Sequence, residues 1–478
     1  MLDNTALLHG IKWEDAMKFD NLKYLAVPLP EDILKEKWAG YFDRARRIID
    51  CRLADETTPY ALRARLELEL KNLADLEMCY TITQEEAMRQ IHEKAPEMSE
   101  ADLDQLRIEN KVDWIYLNGE VRYLRSFCAT LFNVYPELQT VETEAEACEG
   151  KEGDAVDQML EKGLRDGDVT GAHIHIKHET WLEPDAVREG ETLYVHMPFP
   201  TERGNVKNIK LIAVNPAPKK MPDADEYQPT VYFEEKVTED LKFTLEYELD
   251  HVFKYTDTAK IDLQKVAETP LPEDVKVYTE EYAPHIIFTP YLKALAEELK
   301  GSETNPLLVA RRFYDWITTQ VQYRFVREYR SIDNLPEYCG INRRGDCGIQ
   351  GLLFITLCRI SGIPAKWESG LDAKPDDVGE HDWAVFYIPS VGWLHCDPSY
   401  GGSAWRRGAV ERWNYFFGNC DPFRIPHNSE MMKEFVPAGK NWRVDPYDNQ
   451  CGEAEYEDWR VPGDKFNYKY TDLGIWQI

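Results

Sequence analysis

Residues Arg343 to Ile363 read RRGDCGIQGLLFITLCRISGI, and this stretch decides the fold. A Gly345-Asp346 turn leads into Cys347, after which Ile349, Leu352, Leu353, Ile355, Leu357 and Ile360 put apolar side chains on several faces of a helix. A helix of that kind belongs in the interior of a domain. Gly362 and Pro364 stop it. Cys347 therefore stands at or just before the N-terminus of a buried helix, where unpaired N–H groups and the helix dipole favour a thiolate over a thiol. That is where a nucleophilic cysteine is expected.

Downstream, His381 to Ile388 and Gly392 to Asp397 read as two strands joined by the short turn Pro389 to Val391, which predicts an antiparallel hairpin. His381 shares a face with Trp383, Val385 and Tyr387, and Asp397 shares one with Trp393 and His395. The far end of the second strand returns beside the near end of the first, so Asp397 can meet His381. A thiolate, an imidazole and a carboxylate then occur in the chain order Cys, His, Asp. Such a set performs acyl transfer: sulfur attacks a carbonyl, the imidazole moves the proton, and the carboxylate fixes the ring's tautomer and orientation.

The segment from about Asn305 to Ser403 resembles the core of the transglutaminase-like superfamily, which belongs with the papain-like cysteine enzymes. The matching marks are Gly345-Asp346-Cys347, Arg359-Ile360-Ser361-Gly362-Ile363-Pro364-Ala365, Gly370, His381 to Tyr387, and Gly392-Trp393 ahead of Asp397-Pro398-Ser399-Tyr400. The resemblance implies that Cys347 is the nucleophile, His381 the general base and acid, and Asp397 the orienting carboxylate. His395 is a rival base that lacks the matching motif. The backbone N–H of Cys347 can supply one oxyanion donor, and the resemblance places the second upstream, where Trp316, Gln322 and Tyr323 stand. Gln322 is the expected donor, because Trp316 continues an apolar helix face and Tyr323 suits a core position. A calcium requirement, known for some animal members, would need a carboxylate cluster. Asp445, Asp448, Asn449 and Glu453 lack EF-hand spacing and read as a surface turn, so no metal is expected.

Upstream of the core, the first 140 residues read as helices. Thr58-Pro59 opens one, Thr83 with Glu86 has capping-box spacing, and Ser99 with Asp102 is a weaker version. From Glu142 to Asp154 six acidic residues accompany one basic residue, which reads as a solvated linker or exposed helix. Between about His173 and Leu249 the period becomes two: Leu241, Phe243, Leu245, Tyr247 and Leu249 alternate with polar residues, as in a sheet wet on one face. Further strands at Leu193–Met197, Ile209–Val214 and Val231–Val237 predict a small β-sandwich, a unit that the resemblance also places ahead of the core. His173, His175 and His178 fall in one such strand and read as hydrogen-bonded or water-facing histidines rather than metal ligands. Asn305-Pro306 starts a helix with Val309, Phe313, Trp316 and Ile317 on one face. The expected organisation is an α+β multidomain chain: a helical domain at 1–140, an acidic linker at 141–171, a β-sandwich at 172–290, a transglutaminase-like, papain-like core at 291–440, and a C-terminal extension at 441–478.

Composition bounds the partners. The 86 Asp and Glu exceed the 56 Lys and Arg by 30, so the surface field repels phosphate backbones and anionic headgroups, and neither nucleic acid nor membrane is expected. No apolar run approaches the roughly 18 residues of a membrane span, and Met1 to Asp20 shows no signal-peptide core, so a cytoplasmic setting is expected. The ten cysteines are sparse for this length and read as reduced thiols. No glycine-rich nucleotide loop occurs and no cofactor is expected. The expected activity is a thiol hydrolase acting on peptide or glutamine-type amides, with glutamine-to-amine transamidation as the alternative and an idle binding scaffold as a third reading. The acidic surplus favours basic peptide or protein substrates, against a local counter-reading in which Arg324, Arg327, Arg343 and Arg344 line a basic entrance. The oligomeric state is not legible.

Overall fold

Most buried apolar residues of 19–141 form a hydrophobic core of their own, while Leu22, Leu25 and Leu68 join the cluster of the rest of the protein, in a computed structural model that describes residues 19–141, 159–160 and 169–478. The acidic run Glu142–Asp154 lies outside the described residues. Helices α1 (Glu31–Trp38), α2 (Phe42–Ala54), α3 (Tyr60–Cys79), α4 (Gln84–Lys94) and α5 (Glu100–Ile108) come first. Thr83 caps α4 by accepting the Glu86 N–H, and at Ser99 both halves of the capping box form. The all-helical expectation is corrected by a hairpin, β1 (Trp114–Leu117) and β2 (Glu120–Tyr123), that precedes α6 (Phe127–Val134). Its signal is Asn118-Gly119, both at positive φ (52° and 85°), the pair that a two-residue hairpin turn requires.

The sandwich consists of β3 (Val169–Leu182), β4 (Thr192–Pro198), β5 (Val206–Asn215), β6 (Thr230–Lys236) and β7 (Lys242–Lys254). Phe243, Leu245, Tyr247 and Leu249 of β7 are buried, as the period of two predicted. Ile174 and Ile176 of β3 stand opposite Leu249 and Tyr247 on the same inner face. A short helix α7 (Leu263–Glu268) then leads away from the sandwich.

Next come α8 (Pro290–Lys300), α9 (Pro306–Gln320), a two-residue strand β8 (Gln322–Tyr323), α10 (Leu335–Asn342), a second short strand β9 (Arg344–Gly345) and α11 (Cys347–Ile360). Asn305 caps α9 and Pro306 follows it, as predicted, with Val309, Phe313 and Ile317 turned inward. Every residue from Cys347 to Arg359 is buried. At about 1.5–3 kcal/mol for each fully buried large apolar side chain, Ile349, Leu352, Leu353, Phe354, Ile355 and Leu357 make α11 the axle of the core. The helix lies on a five-stranded sheet of β10 (Ala365–Lys374), β11 (Asp377–Ile388), β12 (Gly392–Cys396), β13 (Phe417–Gly418) and β14 (Arg424–Asn428), ordered β13-β12-β11-β10-β14. Phe354 meets Phe386 edge-on at 5.4 Å across that contact. Two helices, α12 (Pro398–Arg406) and α13 (Val410–Tyr415), connect β12 to β13.

The segment 441–478, read as an extension, does not stand apart. Its strands β15 (Glu453–Glu455) and β16 (Phe466–Gln477) complete the two sandwich sheets, ordered β15-β4-β6 and β16-β3-β7-β5. The sandwich is thus built from both sides of the core in sequence, and sandwich and core share one hydrophobic cluster. No helix of the described residues is long and apolar enough to cross a membrane.

Candidate active site

Cys347 is the first residue of α11, and Asp346 caps the helix by accepting the Ile349 N–H at 3.1 Å. Tyr329 donates its hydroxyl to the same Asp346 oxygen at 2.6 Å. Gly348 lets the helix start close against the sheet, since a Cβ there would strike Tyr329, Trp367 and Asp382. The sulfur in consequence sits against β11 at Asp382, the residue after His381. Its hydrogen-bond partner is Asp382 Oδ2 at 3.4 Å, and the Asp382 backbone N–H also points to it.

These neighbours correct the expectation of a resting thiolate. Burial pushes the Cys347 thiol well up, and the charges of Asp382 and Asp346 push it further. A helix N-terminus contributes at most a couple of kcal/mol toward the anion, and it is outweighed where two carboxylates crowd a desolvated sulfur. Asp382 is itself raised by burial and by the like charges of Asp448 and Asp346.

His381 and Asp397 come together as the hairpin predicted. His381 Nε2 donates to Asp397 Oδ2 at 2.8 Å, and the imidazole stacks on Tyr400 with centroids 4.5 Å apart. With Nε2 committed to the carboxylate, Nδ1 is the ring nitrogen left to take a proton. Asp397 also caps α12, accepting the Tyr400 N–H at 2.9 Å and the Ser399 hydroxyl at 3.0 Å. Burial would raise its pKa, but His381 and Arg424 hold it well below the usual carboxylate range. Neither Arg424 nor Gln450 figures among the sequence candidates. Gln450 Nε2 donates to Asp382 Oδ1 at 2.9 Å and to the His381 carbonyl at 3.0 Å, so the C-terminal segment fastens the strand that carries the site.

The oxyanion expectation at Gln322 is corrected. β8 pairs in parallel with β9 and brings residues 322 and 323 beside the approach to Cys347, but consecutive strand residues face opposite ways. Tyr323 takes the inner side, where burial and the neighbouring Cys347 raise its hydroxyl. Gln322 faces the helical domain, where its Oε1 accepts from Tyr135 at 2.9 Å and from Arg324 at 2.8 Å. Trp316 packs on the core. His395, the rival base, lies 3.5 Å from Glu368.

The arginines near the cysteine serve mainly to dock the helical domain. Arg330 forks onto Asp75 of α3 at 2.5 and 2.7 Å. Arg324 reaches the Asn110 carbonyl at 2.7 Å, and Arg344 reaches the Asn110 side chain at 2.8 Å. The surface-turn reading of the C-terminal residues holds for Asp445, which is exposed, and is corrected for the other three. Asp448, Asn449 and Glu453 are buried. Asp448 accepts the Ser369 hydroxyl at 2.6 Å, and Glu453 pairs with Arg443 at 2.8 Å. Asp445 and Asp448 join Asp382, Tyr329, Trp367 and Tyr447 around a cavity of about 180 Å³. On β3, His173 pairs with Asp250 at 2.8 Å, His175 with Glu246 at 2.9 Å, and His178 with the Cys451 carbonyl at 3.0 Å. No cluster of His, Cys, Asp or Glu fit to hold a metal ion occurs among the described residues.

Residues 293–398 match the sequence model described as the Transglutaminase-like superfamily. No curated protein matches the chain. Among solved structures, a protein provisionally assigned as a cysteine protease from Cytophaga hutchinsonii is similar at 16% identity, covering 64% of this chain and 91% of its own, with a TM-score of 0.42. The periplasmic domain of TgpA from Pseudomonas aeruginosa is similar at 14% identity, covering 53% of this chain and 94% of its own, with a TM-score of 0.28.

Proposed function

From the premise that residues 293–398 form a transglutaminase-like core, we propose that the protein is a thiol acyl-transfer enzyme that hydrolyses peptide or glutamine-type amides through Cys347, His381 and Asp397. The observation that carries this reading is the His381–Asp397 pair at 2.8 Å, formed within the segment whose helix begins at Cys347. His381 Nδ1 takes the thiol proton as sulfur attacks the carbonyl carbon, and the carbonyl electrons move to oxygen. The Cys347 N–H and the Tyr323 hydroxyl donate to that oxyanion. The intermediate collapses to a thioester as the imidazolium gives its proton to the departing amine. A water, deprotonated by His381, then attacks the thioester, and the acid leaves as the thiol regains its proton. With burial and the charges of Asp382 and Asp346 raising the thiol, the proton is removed during attack rather than beforehand.

The substrate side of the reading is a basic peptide. Asp382, Asp445 and Asp448 line the cavity with Arg327 and Arg330, of which Arg330 is committed to Asp75; desolvation and mutual repulsion raise all three carboxyls, so a bound cation would favour their ionised forms. The surplus of 30 acidic groups acts in the same direction. The test is a glutamine-containing peptide library with and without a labelled primary amine, read by mass. Water-cleaved products support hydrolysis, amine adducts move the reading to transamidation, and no product with any peptide leaves a binding scaffold. Matched Lys- and Glu-flanked peptides at about 20 mM and about 300 mM salt test the charge preference, which screening should shrink.

A further inference from the structure

We infer that Arg424 is a positioning residue of the acid–base pair, whose buried guanidinium holds Asp397 for His381 and sets the pH range in which the pair works. The inference rests on the triad reading above. Asp397 Oδ2 receives two donors, His381 Nε2 at 2.8 Å and Arg424 Nη2 at 2.9 Å. The same guanidinium is anchored from behind by Asp421, through Nη2 at 2.7 Å and Nε at 2.9 Å. It is fully buried and lies over the Tyr400 ring at 4.6 Å, the ring on which His381 also stacks. Arg424 stands on β14, outside the matched segment, and the family match gives it no role.

The physical argument concerns one oxygen shared by two cations. A guanidinium keeps its proton at every working pH, whereas the imidazole must gain and lose one in each cycle. Because Arg424 already offsets part of the charge on Asp397, less of that charge acts on the ring. If the guanidinium is removed, Asp397, Asp421 and Asp372 all act on the ring with less opposition. Other charged or titratable groups around the pair are Lys374 of β10, bound to Asp372 at 2.9 Å, Tyr400 of α12, and Asp382 and Cys347 on the thiol side. Lys374 is thus engaged, which leaves Arg424 as the cation on Asp397 itself.

The experiment compares Arg424→Gln, Arg424→Lys and Asp421→Asn with the wild type, using kcat/KM against pH for a peptide that the wild type hydrolyses and circular dichroism to establish folding. Arg424→Gln should move the acid limb upward by roughly one pH unit, which is about a tenfold loss at fixed pH on that limb. Arg424→Lys, which keeps the charge, should restore most of the wild-type profile. Asp421→Asn releases Arg424 toward Asp397 and should move the limb downward. A folded Arg424→Gln protein with an unmoved acid limb would overturn the inference. Should that variant not fold, an unmoved or upward-moving limb in Asp421→Asn overturns it instead. Cys347→Ala and His381→Ala run alongside: activity surviving in either sinks the triad reading itself, whereas dead controls with an unmoved Arg424→Gln profile sink only the positioning role.

Discussion

The imidazole side and the thiol side of the site each hold a buried aspartate, and the two are driven in opposite directions. Asp397 is 1% exposed and Asp382 8% exposed, so burial alone treats them alike. Asp397 faces His381 and Arg424 and is held well below the ordinary carboxylate range; Asp382 faces Asp448 and Asp346 and is held well above it. Countercharge, not depth, decides which aspartate is an anion at neutral pH. The division suits acyl transfer, in which a fixed anion orients the base while the sulfur rests uncharged beside a carboxyl that resists ionisation.

The contrast is broken most severely by removing the groups to which the proposed mechanism assigns the reaction. Cys347→Ala should lower turnover by on the order of 10³-fold or more with the fold intact, His381→Ala nearly as much, and Asp397→Asn less, since it spoils orientation rather than the nucleophile. Full activity in Cys347→Ala, against any substrate that the wild type cleaves, would falsify the mechanism.

Asp346 tests the thiol side through stability. Burial pushes it up to about 6, chiefly by desolvation. A carboxyl raised on folding contributes its full stability below the unfolded pKa, near 4, and loses it as pH rises through the folded value. Asparagine caps helices as well as aspartate does, so Asp346→Asn should remove this loss while keeping the cap. Relative to wild type, the variant should gain up to about 3 kcal/mol in unfolding free energy between about pH 4 and pH 7.5. Denaturant midpoints at the two pH values measure the difference, and a constant offset would show that Asp346 ionises as freely in the folded protein as in the unfolded chain.

The same comparison predicts reactivity. At about pH 7, brief iodoacetamide labelling with peptide mapping should modify exposed Cys51 about tenfold faster than Cys347. Asp346→Asn removes a like charge near the sulfur and should narrow the gap, whereas Asp397→Asn should not. Preferential labelling of Cys347 in the wild type would restore the thiolate that the helix terminus alone suggested.

Local sequence carried the parts of this site that are made by local geometry. The Gly-Asp-Cys turn, the buried helix and the short hairpin each declare themselves through neighbours in the chain, and Cys347, His381 and Asp397 follow from them. What stayed hidden is assembled across long separations. Arg424 and Gln450 reach the site from β14 and from the loop before β15, and nothing at either position marks it within a single sequence. Strand β16 escaped notice because its alternation is broken by a bulge between Asp472 and Gly474, and Tyr468, Leu473 and Trp476 leave much of it exposed. The pKa of Cys347 could not be read locally either, since Asp382 is brought to it only by tertiary packing.

The smallest effect is expected at Gln322, where a one-residue choice of strand face separates the expectation from the structure. Its side chain serves the interface with the helical domain, through Tyr135 and Arg324, so Gln322→Ala should leave kcat within about twofold of wild type. Its cost should appear instead as a modest loss of stability, about 1 kcal/mol for the hydrogen bonds removed. Tyr323→Phe removes only a hydroxyl, yet if that hydroxyl receives the oxyanion, kcat should fall by one to two orders of magnitude, at roughly the lower end of what an oxyanion donor contributes. Measured on one peptide, the ratio of the two kcat values reports which residue of β8 faces the reaction. A greater kcat loss in Gln322→Ala than in Tyr323→Phe would mean that the strand presents its other face to the substrate.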